Sequence, residues 1–155
     1  MRILLDTNIL ARAATPNSGP ARALLLKATE DPNVLLLSGY ILSELSRILR
    51  YERVRNLHGL DDAGIDQYIA DLQSAGATVE LPNEPAVPVV LHDPADDGIV
   101  ATAIAGHADM LCTRDRHLQH PDVRAHCEAG GIRVLTDLEL LELLRESESA
   151  PDADE

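Results

Sequence analysis

The stretch RILLDTNIL, Arg2 to Leu10, decides how the rest of the chain is read. Ile3, Leu4 and Leu5 form an apolar run without alternation, the pattern of a short strand buried on both faces. Asp6, Thr7 and Asn8 interrupt it at once, and Ile9 and Leu10 then resume it. A carboxylate held between two apolar stretches is costly to bury unless it is paired or binds something. Asp6 therefore marks both the end of a strand and a candidate site.

The same pattern recurs along the chain. Val34–Leu37 reads as a second buried strand, Met110–Thr113 and Ile132–Leu135 as two more, and Thr78–Leu81 as an edge strand or short extended piece. Between them lie helical patterns: Ala21–Thr29 after the turn material TPNSGP, and a helix from Ser38 or Gly39 through YILSELSRILRYERV. A third runs from Asp61 or Asp62 to about Gln73, with Gly76 as its stop. Asp96 or Asp97 opens an apolar helix to Ala105, Val123–Ala129 gives a short one, and Asp137–Arg145 a last one. PNEPAVPVV is a Pro-rich connection within the domain, and no repeat is present. Continuous apolar strands alternating with helices predict a single α/β domain, a three-layer α/β/α fold around a central parallel sheet. That domain is expected over residues 1–145, followed by an acidic, disordered tail over 146–155.

Composition narrows the function classes. With three Tyr and neither Phe nor Trp, the core must be built from Leu, Ile, Val and Ala. The opening is too short for a signal peptide, since Asp6 breaks its apolar run, and no stretch approaches the roughly 20 apolar residues of a membrane span. Cys112 and Cys127 lack CxxC spacing, so no disulfide framework is expected. A cytoplasmic protein without membrane attachment is the expectation. The net charge of −13 opposes nucleic-acid binding at first sight. Five of those charges sit in the tail ESESAPDADE, leaving −8 on the body, and a bound divalent cation would neutralise part of the rest.

In a parallel α/β sheet, ligands bind beyond the carboxyl ends of the strands. Asp6 occupies such an end, and in MLCTRD the residues Thr113, Arg114 and Asp115 leave the same edge. Glu44 lies beside the stripe Ile41, Leu42, Leu45, Ile48 and Leu49 of its helix, where the alternative is a flank residue reaching water. Asp93, Asp96 and Asp97 crowd the start of an apolar helix. Helix capping accounts for one or two of them but not for three acids so close together.

These blocks, LLDTNIL, SELSRIL, DDGIVATAI and CTRDRHL in that order, resemble the PIN-domain family, and most nearly the VapC-like ribonuclease toxins of bacterial toxin–antitoxin pairs. The resemblance covers about residues 1–145. It implies a Rossmann-like parallel sheet and an acidic site that binds Mg²⁺ or Mn²⁺ to hydrolyse RNA phosphodiesters. Carried over, the four acids are Asp6, Glu44, Asp97 and Asp115, with Thr7, Asn8 and Thr113 in support. Asp93 or Asp96 shares the third role if the DPADD block spreads it. The resemblance also implies a homodimer and a cognate antitoxin with a basic segment that enters the acidic cleft.

The chemistry suits that implication. Mg²⁺ takes hard oxygen ligands, keeps several waters and needs few carboxylates. Asp6, Asp97 and Asp115 would be metal ligands, with Glu44 as a second-metal ligand or a base that positions water. Arg114 and Arg116 adjoin the site and are candidates for RNA contact, as are Arg47 and Arg50, for which a solvated helix face is the alternative. Zinc is not expected, because Cys112, His117, His120, His126 and Cys127 fit no standard spacing. Two rival functions are a phosphatase-type hydrolase on a similar sheet and a non-catalytic PIN-like binding module. The first normally wants a second acid beside the first-strand Asp and a rim lysine, whereas the chain's one lysine, Lys27, sits in an early helix. The second has no physical need for four gathered carboxylates.

Overall fold

A computed structural model describes residues 1–16, 19–82 and 97–150. Five strands form one all-parallel sheet: β1 (Arg2–Leu5), β2 (Val34–Ser38), β3 (Ala77–Val79), β4 (Met110–Cys112) and β5 (Arg133–Leu135). Their order is β3-β2-β1-β4-β5, with Leu4 in register with Leu36 on one side and Leu111 on the other. All three leucines are fully buried, as the unalternating apolar runs require when helices cover both faces. The architecture is the three-layer α/β/α one expected. Its strand order reverses direction at β1, so the crevice between β1 and β4 is the topological switch point.

The helices are α1 (Thr7–Ala13), α2 (Pro20–Thr29), α3 (Gly39–Leu49), α4 (Glu52–His58), α5 (Asp62–Ala75), α6 (Asp97–Ala105), α7 (Pro121–Ala129) and α8 (Asp137–Ser149). Sequence signals fix several starts. Ser38 Oγ accepts from Ile41 N, Asp61 Oδ1 accepts from Gly64 N, and Thr136 forms a reciprocal capping box with Glu139. None of the helices among the described residues is long and apolar enough to cross a membrane.

Small shifts at element ends include the edge strand, expected over Thr78–Leu81 and found at Ala77–Val79, and three differences from the apolar pattern are larger. That pattern assigns no element to Thr7–Ala13, yet α1 starts directly after β1, with Asp6 as its N-cap and no intervening loop. The Asp6 carbonyl accepts from Ile9 N and Leu10 N, and burial of Ile9, Leu10 and Ala13 holds this two-turn helix. The expected continuous helix through YERV breaks at Tyr51, whose backbone is extended. Buried His58 makes the break possible: its Nε2 donates to the Leu49 carbonyl while Nδ1 accepts from Leu60 N, replacing partners that a continuing helix would have supplied. Finally, α8 runs past Arg145 to Ser149, tied to α2 by Lys27 Nζ, which bonds both carboxylate oxygens of Glu148 at 2.7 Å.

Candidate active site

The site begins with how β1 ends. Asp6 N donates to Cys112 O at 2.9 Å, continuing the β1–β4 ladder by one residue and fixing the Asp6 backbone at the switch point. An N-cap aspartate ordinarily turns its side chain onto its own helix. Asp6 makes no such cap. Its Oδ2 instead accepts from Thr113 Oγ1 at 2.8 Å, across the crevice, in a position only 3 % exposed.

Thr113 serves both sides of the crevice. Its hydroxyl donates to Asp6 and accepts from Asp115 N at 2.9 Å, so one oxygen ties the end of β1 to the turn after β4. Asp115 in turn accepts from His117 N through Oδ1, and Gln119 Nε2 donates to Thr113 O, which closes the turn. Burial pushes the Asp6 carboxyl up to about 6. The Thr113 hydroxyl opposes that shift, the negative charge of Asp115 adds to it, and the nearby backbone N–H groups of Thr7 and Asn8 oppose it again.

Glu44 reaches the same place from α3. A small cavity of about 40 Å³ is lined by Asp6, Thr7, Asn8, Tyr40, Glu44, Ile48 and Ile99. The Glu44 carboxylate also pairs with Arg47 one turn along, and Arg47 lies over the Tyr51 ring, 5.7 Å from its centroid. Asp97 is the first residue of α6, two positions before the cavity-lining Ile99. Close packing locates that helix start: a Cβ on Gly98 would lie 2.4 Å from Tyr40 Cε1. A buried polar chain adds to this, with Ser38 Oγ and Thr102 Oγ1 at 2.8 Å and Thr102 donating to Gly98 O at 2.7 Å.

Asp6, Thr7, Asn8 and Glu44 thus share one cavity, while Asp115 joins through Thr113 and Asp97 sits at the head of the adjoining helix. Asp93 and Asp96 lie outside the described residues. Among the described residues, no three His, Cys, Asp or Glu side chains are gathered closely enough to hold a metal ion by themselves. The donor chemistry nevertheless fits a hard cation. Oxygen donors line the cavity, burial raises the Asp6 carboxyl above the usual carboxylate range with no cationic side chain paired to it among the described residues, and Thr7 Oγ1 is buried without a hydrogen-bond partner. Mg²⁺ sites use one or two carboxylates with water completing the shell. Cys112 and Cys127 are buried free thiols that burial pushes upward, which does not favour thiolate ligation.

The arginines divide. Arg114 and Arg116 are exposed beside Asp115. Arg50 is engaged by α5, with Nη2 2.8 Å from Asp66 Oδ1 and Nε 3.5 Å from Asp62 Oδ1. Sequence reasoning did not single out Tyr40, Arg12 or Asp137. Asp137 is the most telling omission, because it follows β5 as Asp115 follows β4, at the same sheet edge. Its only local signal was that of a helix start.

A family model described as PIN domain matches residues 2–117. The chain belongs to the PIN-domain family. The match spans β1 through the turn after β4, and so includes Asp6, Glu44, Asp97, Thr113 and Asp115. PIN domains are generally nucleases, which makes a nuclease-type hydrolase the general expectation for this one. No curated protein matches the chain.

Proposed function

We propose that this PIN domain is a divalent-metal-dependent endoribonuclease that hydrolyses RNA phosphodiester bonds. The observation that carries the reading is the buried Asp6 carboxylate at the switch point, sharing Thr113 with Asp115 and a cavity with Glu44. A buried acid against a second acid, with oxygen donors around it, is an environment that a cation relieves.

Asp6, Asp97 and Asp115 are the residues that would hold Mg²⁺ or Mn²⁺, with Glu44 and Asp93 or Asp96 as further donors. When bound, such an ion polarises the phosphate oxygens and acidifies a water. The rest falls to the chain's own groups. Thr113 directs its proton to Asp6 Oδ2 while its oxygen accepts from Asp115 N, which helps hold the Asp6 carboxylate in one orientation at the cavity it lines. Glu44 orients the attacking water and accepts its proton. Asn8 and Thr7 stiffen the first turn below. Arg114 and Arg116 supply the positive field that an otherwise acidic body lacks for RNA, whereas Arg47 is paired with Glu44 and Arg50 with Asp62 and Asp66.

In its biological setting we read the protein as the VapC-like toxin of a type II toxin–antitoxin pair, cytoplasmic and homodimeric. The −8 body charge supports an antitoxin whose basic segment, led by an Arg, pairs bidentately with the site carboxylates. A reading frame directly upstream that encodes a small DNA-binding partner is the expected genomic context.

The test is RNA cleavage by purified protein beside an Asp6→Asn variant purified identically. Cleavage of single-stranded or loop RNA that needs Mg²⁺ or Mn²⁺, stops in EDTA and falls by orders of magnitude in the variant is the expected result. Equal cleavage by both proteins, or none by either across several metals and RNAs, would transfer the assignment to a non-catalytic binding module.

A further inference from the structure

A second charged unit stands on the same rim, outside the acidic cavity. Asp137 opens α8 and is fully buried, but its carboxylate is only partly satisfied. Oδ1 accepts from Leu138 N at 3.0 Å and lies 3.2 Å from Arg114 Nε. Oδ2 is buried without a hydrogen-bond partner, and Arg12 Nη1 stands 4.0 Å from it. Arg12 comes from the last turn of α1, Arg114 from the turn after β4 and Asp137 from the residue pair after β5. Three elements distant in sequence therefore converge on one buried charge.

Both arginine side chains are about half exposed, and both line a groove of about 410 Å³. Asp115 lines that groove too, and Asn8 and Ile48 line both it and the acidic cavity, so the two are continuous. The far wall is apolar, formed by Ile48, Val54 and Leu57, of which Leu57 is 63 % exposed. A buried carboxylate is costly unless its surroundings compensate it. Here the compensation comes from two guanidinium groups that open into the groove, giving the trio a net positive charge. Arg114 uses Nε on Asp137, which leaves its Nη donors for a second anion in the planar, paired geometry that suits phosphate.

We infer that Asp137 is a positioning residue that sets Arg12 and Arg114 as a clamp on the RNA phosphate next to the cleaved bond, with the attached base against Ile48, Val54 and Leu57. The inference rests on the nuclease reading and adds to it a subsite, an RNA-contacting residue in Arg12 and a role for Asp137. The clamp anchors a neighbouring nucleotide, so it acts on binding while the acids act on the cleaved bond.

Charge alone and positioning predict opposite signs for Asp137→Asn. Loss of a negative charge by itself strengthens RNA binding. Loss of the anchor frees both arginines and weakens it. The experiment measures cleavage kinetics and, in an Asp6→Asn background, equilibrium binding of a labelled single-stranded RNA at several salt concentrations. Thermal melts verify that each variant is folded. Asp137→Asn is expected to raise KM about tenfold with kcat nearly unchanged, and to weaken binding by a similar factor. Arg12→Ala is expected to do the same and to lower the salt slope by about one. Combining the two should cost little more than either alone.

Unchanged or tighter RNA binding in folded Asp137→Asn overturns the inference. Should that variant not fold, Arg12→Lys carries the test, since it keeps the charge and loses the planar fork: a raised KM supports the clamp and an unchanged one overturns it. Variants that leave RNA binding intact but weaken that of a basic antitoxin-like peptide would make the groove a protein's and also overturn the clamp. The parent reading fails separately. A wild-type protein that binds RNA in an Arg12-dependent way but never cleaves it keeps the clamp and loses the nuclease.

Discussion

Thr113 Oγ1 lies 2.8 Å from Asp6 Oδ2, joining residues 107 positions apart, and the same oxygen accepts the backbone N–H of Asp115. One hydroxyl therefore sets both the orientation of the first acid and the turn that presents the last. Its removal strips a buried carboxylate of its side-chain donor and leaves a backbone N–H without its acceptor.

Thr113→Val is accordingly expected to cost about 1–3 kcal/mol of stability, and to reduce cleavage well beyond what that loss explains. Thr113→Ser keeps both bonds and should recover most of the activity. Chemical denaturation and cleavage rates on the same preparations test this, and a Val variant with wild-type activity would remove Thr113 from the site.

The stability of the metal-free protein should depend on pH through Asp6. Its pKa is 3.8 in the reference state and about 6 when folded. Between those values the native state holds the extra proton, so stability falls as pH rises from about 4 to about 6 and stays lowered above that. The two-unit difference corresponds to about 3 kcal/mol lost at neutral pH. Asp6→Asn has no such loss, so in EDTA its melting temperature should exceed that of the wild type at pH 7 and approach it near pH 4. A variant less stable than wild type at pH 7 would contradict this account of the site.

Metal should reverse that penalty. A cation that binds only the folded form stabilises it by an amount that grows with the logarithm of its concentration relative to its dissociation constant, and so raises the melting temperature. Mg²⁺ or Mn²⁺ is expected to stabilise the wild type, and the Asp6→Asn, Asp97→Asn double variant should lose most of the effect. Calorimetry showing equal Mn²⁺ responses in the two proteins would mean that the ion binds elsewhere.

Gly98 is a packing requirement of the site. An added Cβ would sit 2.4–2.6 Å from three atoms of the Tyr40 ring. Gly98→Ala should therefore destabilise by about 1–3 kcal/mol, as overpacking typically does, and displace the neighbouring Asp97 enough to lower activity. Tyr40→Ala in the same chain should recover part of that loss, because it removes all three ring atoms that clash. If Gly98→Ala costs nothing, the start of α6 is less tightly seated on α3 than these distances require.

Much of the fold was legible because burial on both faces leaves a mark in the sequence. A parallel strand that touches helices above and below cannot carry polar residues, so Ile3–Leu5, Leu35–Leu37 and Met110–Cys112 stand out as unbroken apolar runs. What did not show was structure held by single contacts. The break at Tyr51 depends on His58 reaching back to the Leu49 carbonyl, and α1 is too short to show a full helical period.

The sequence alone determined that Asp6 and Asp115 leave the sheet at one edge, because both follow apolar strands and parallel strands end on the same side. It also marked Glu44 as an acid at the margin of a buried stripe. Only the tertiary structure decided which groups meet. Thr113 bridges Asp6 and Asp115 because β1 and β4 are neighbours in the sheet, a pairing that no local pattern encodes. Asp137 reads as an ordinary helix start in sequence, yet it becomes a buried charge between Arg12 and Arg114. The physical reason is the same in both cases. Periodicity records how each segment meets water, whereas the partners of a buried polar group are set by the order in which the strands assemble.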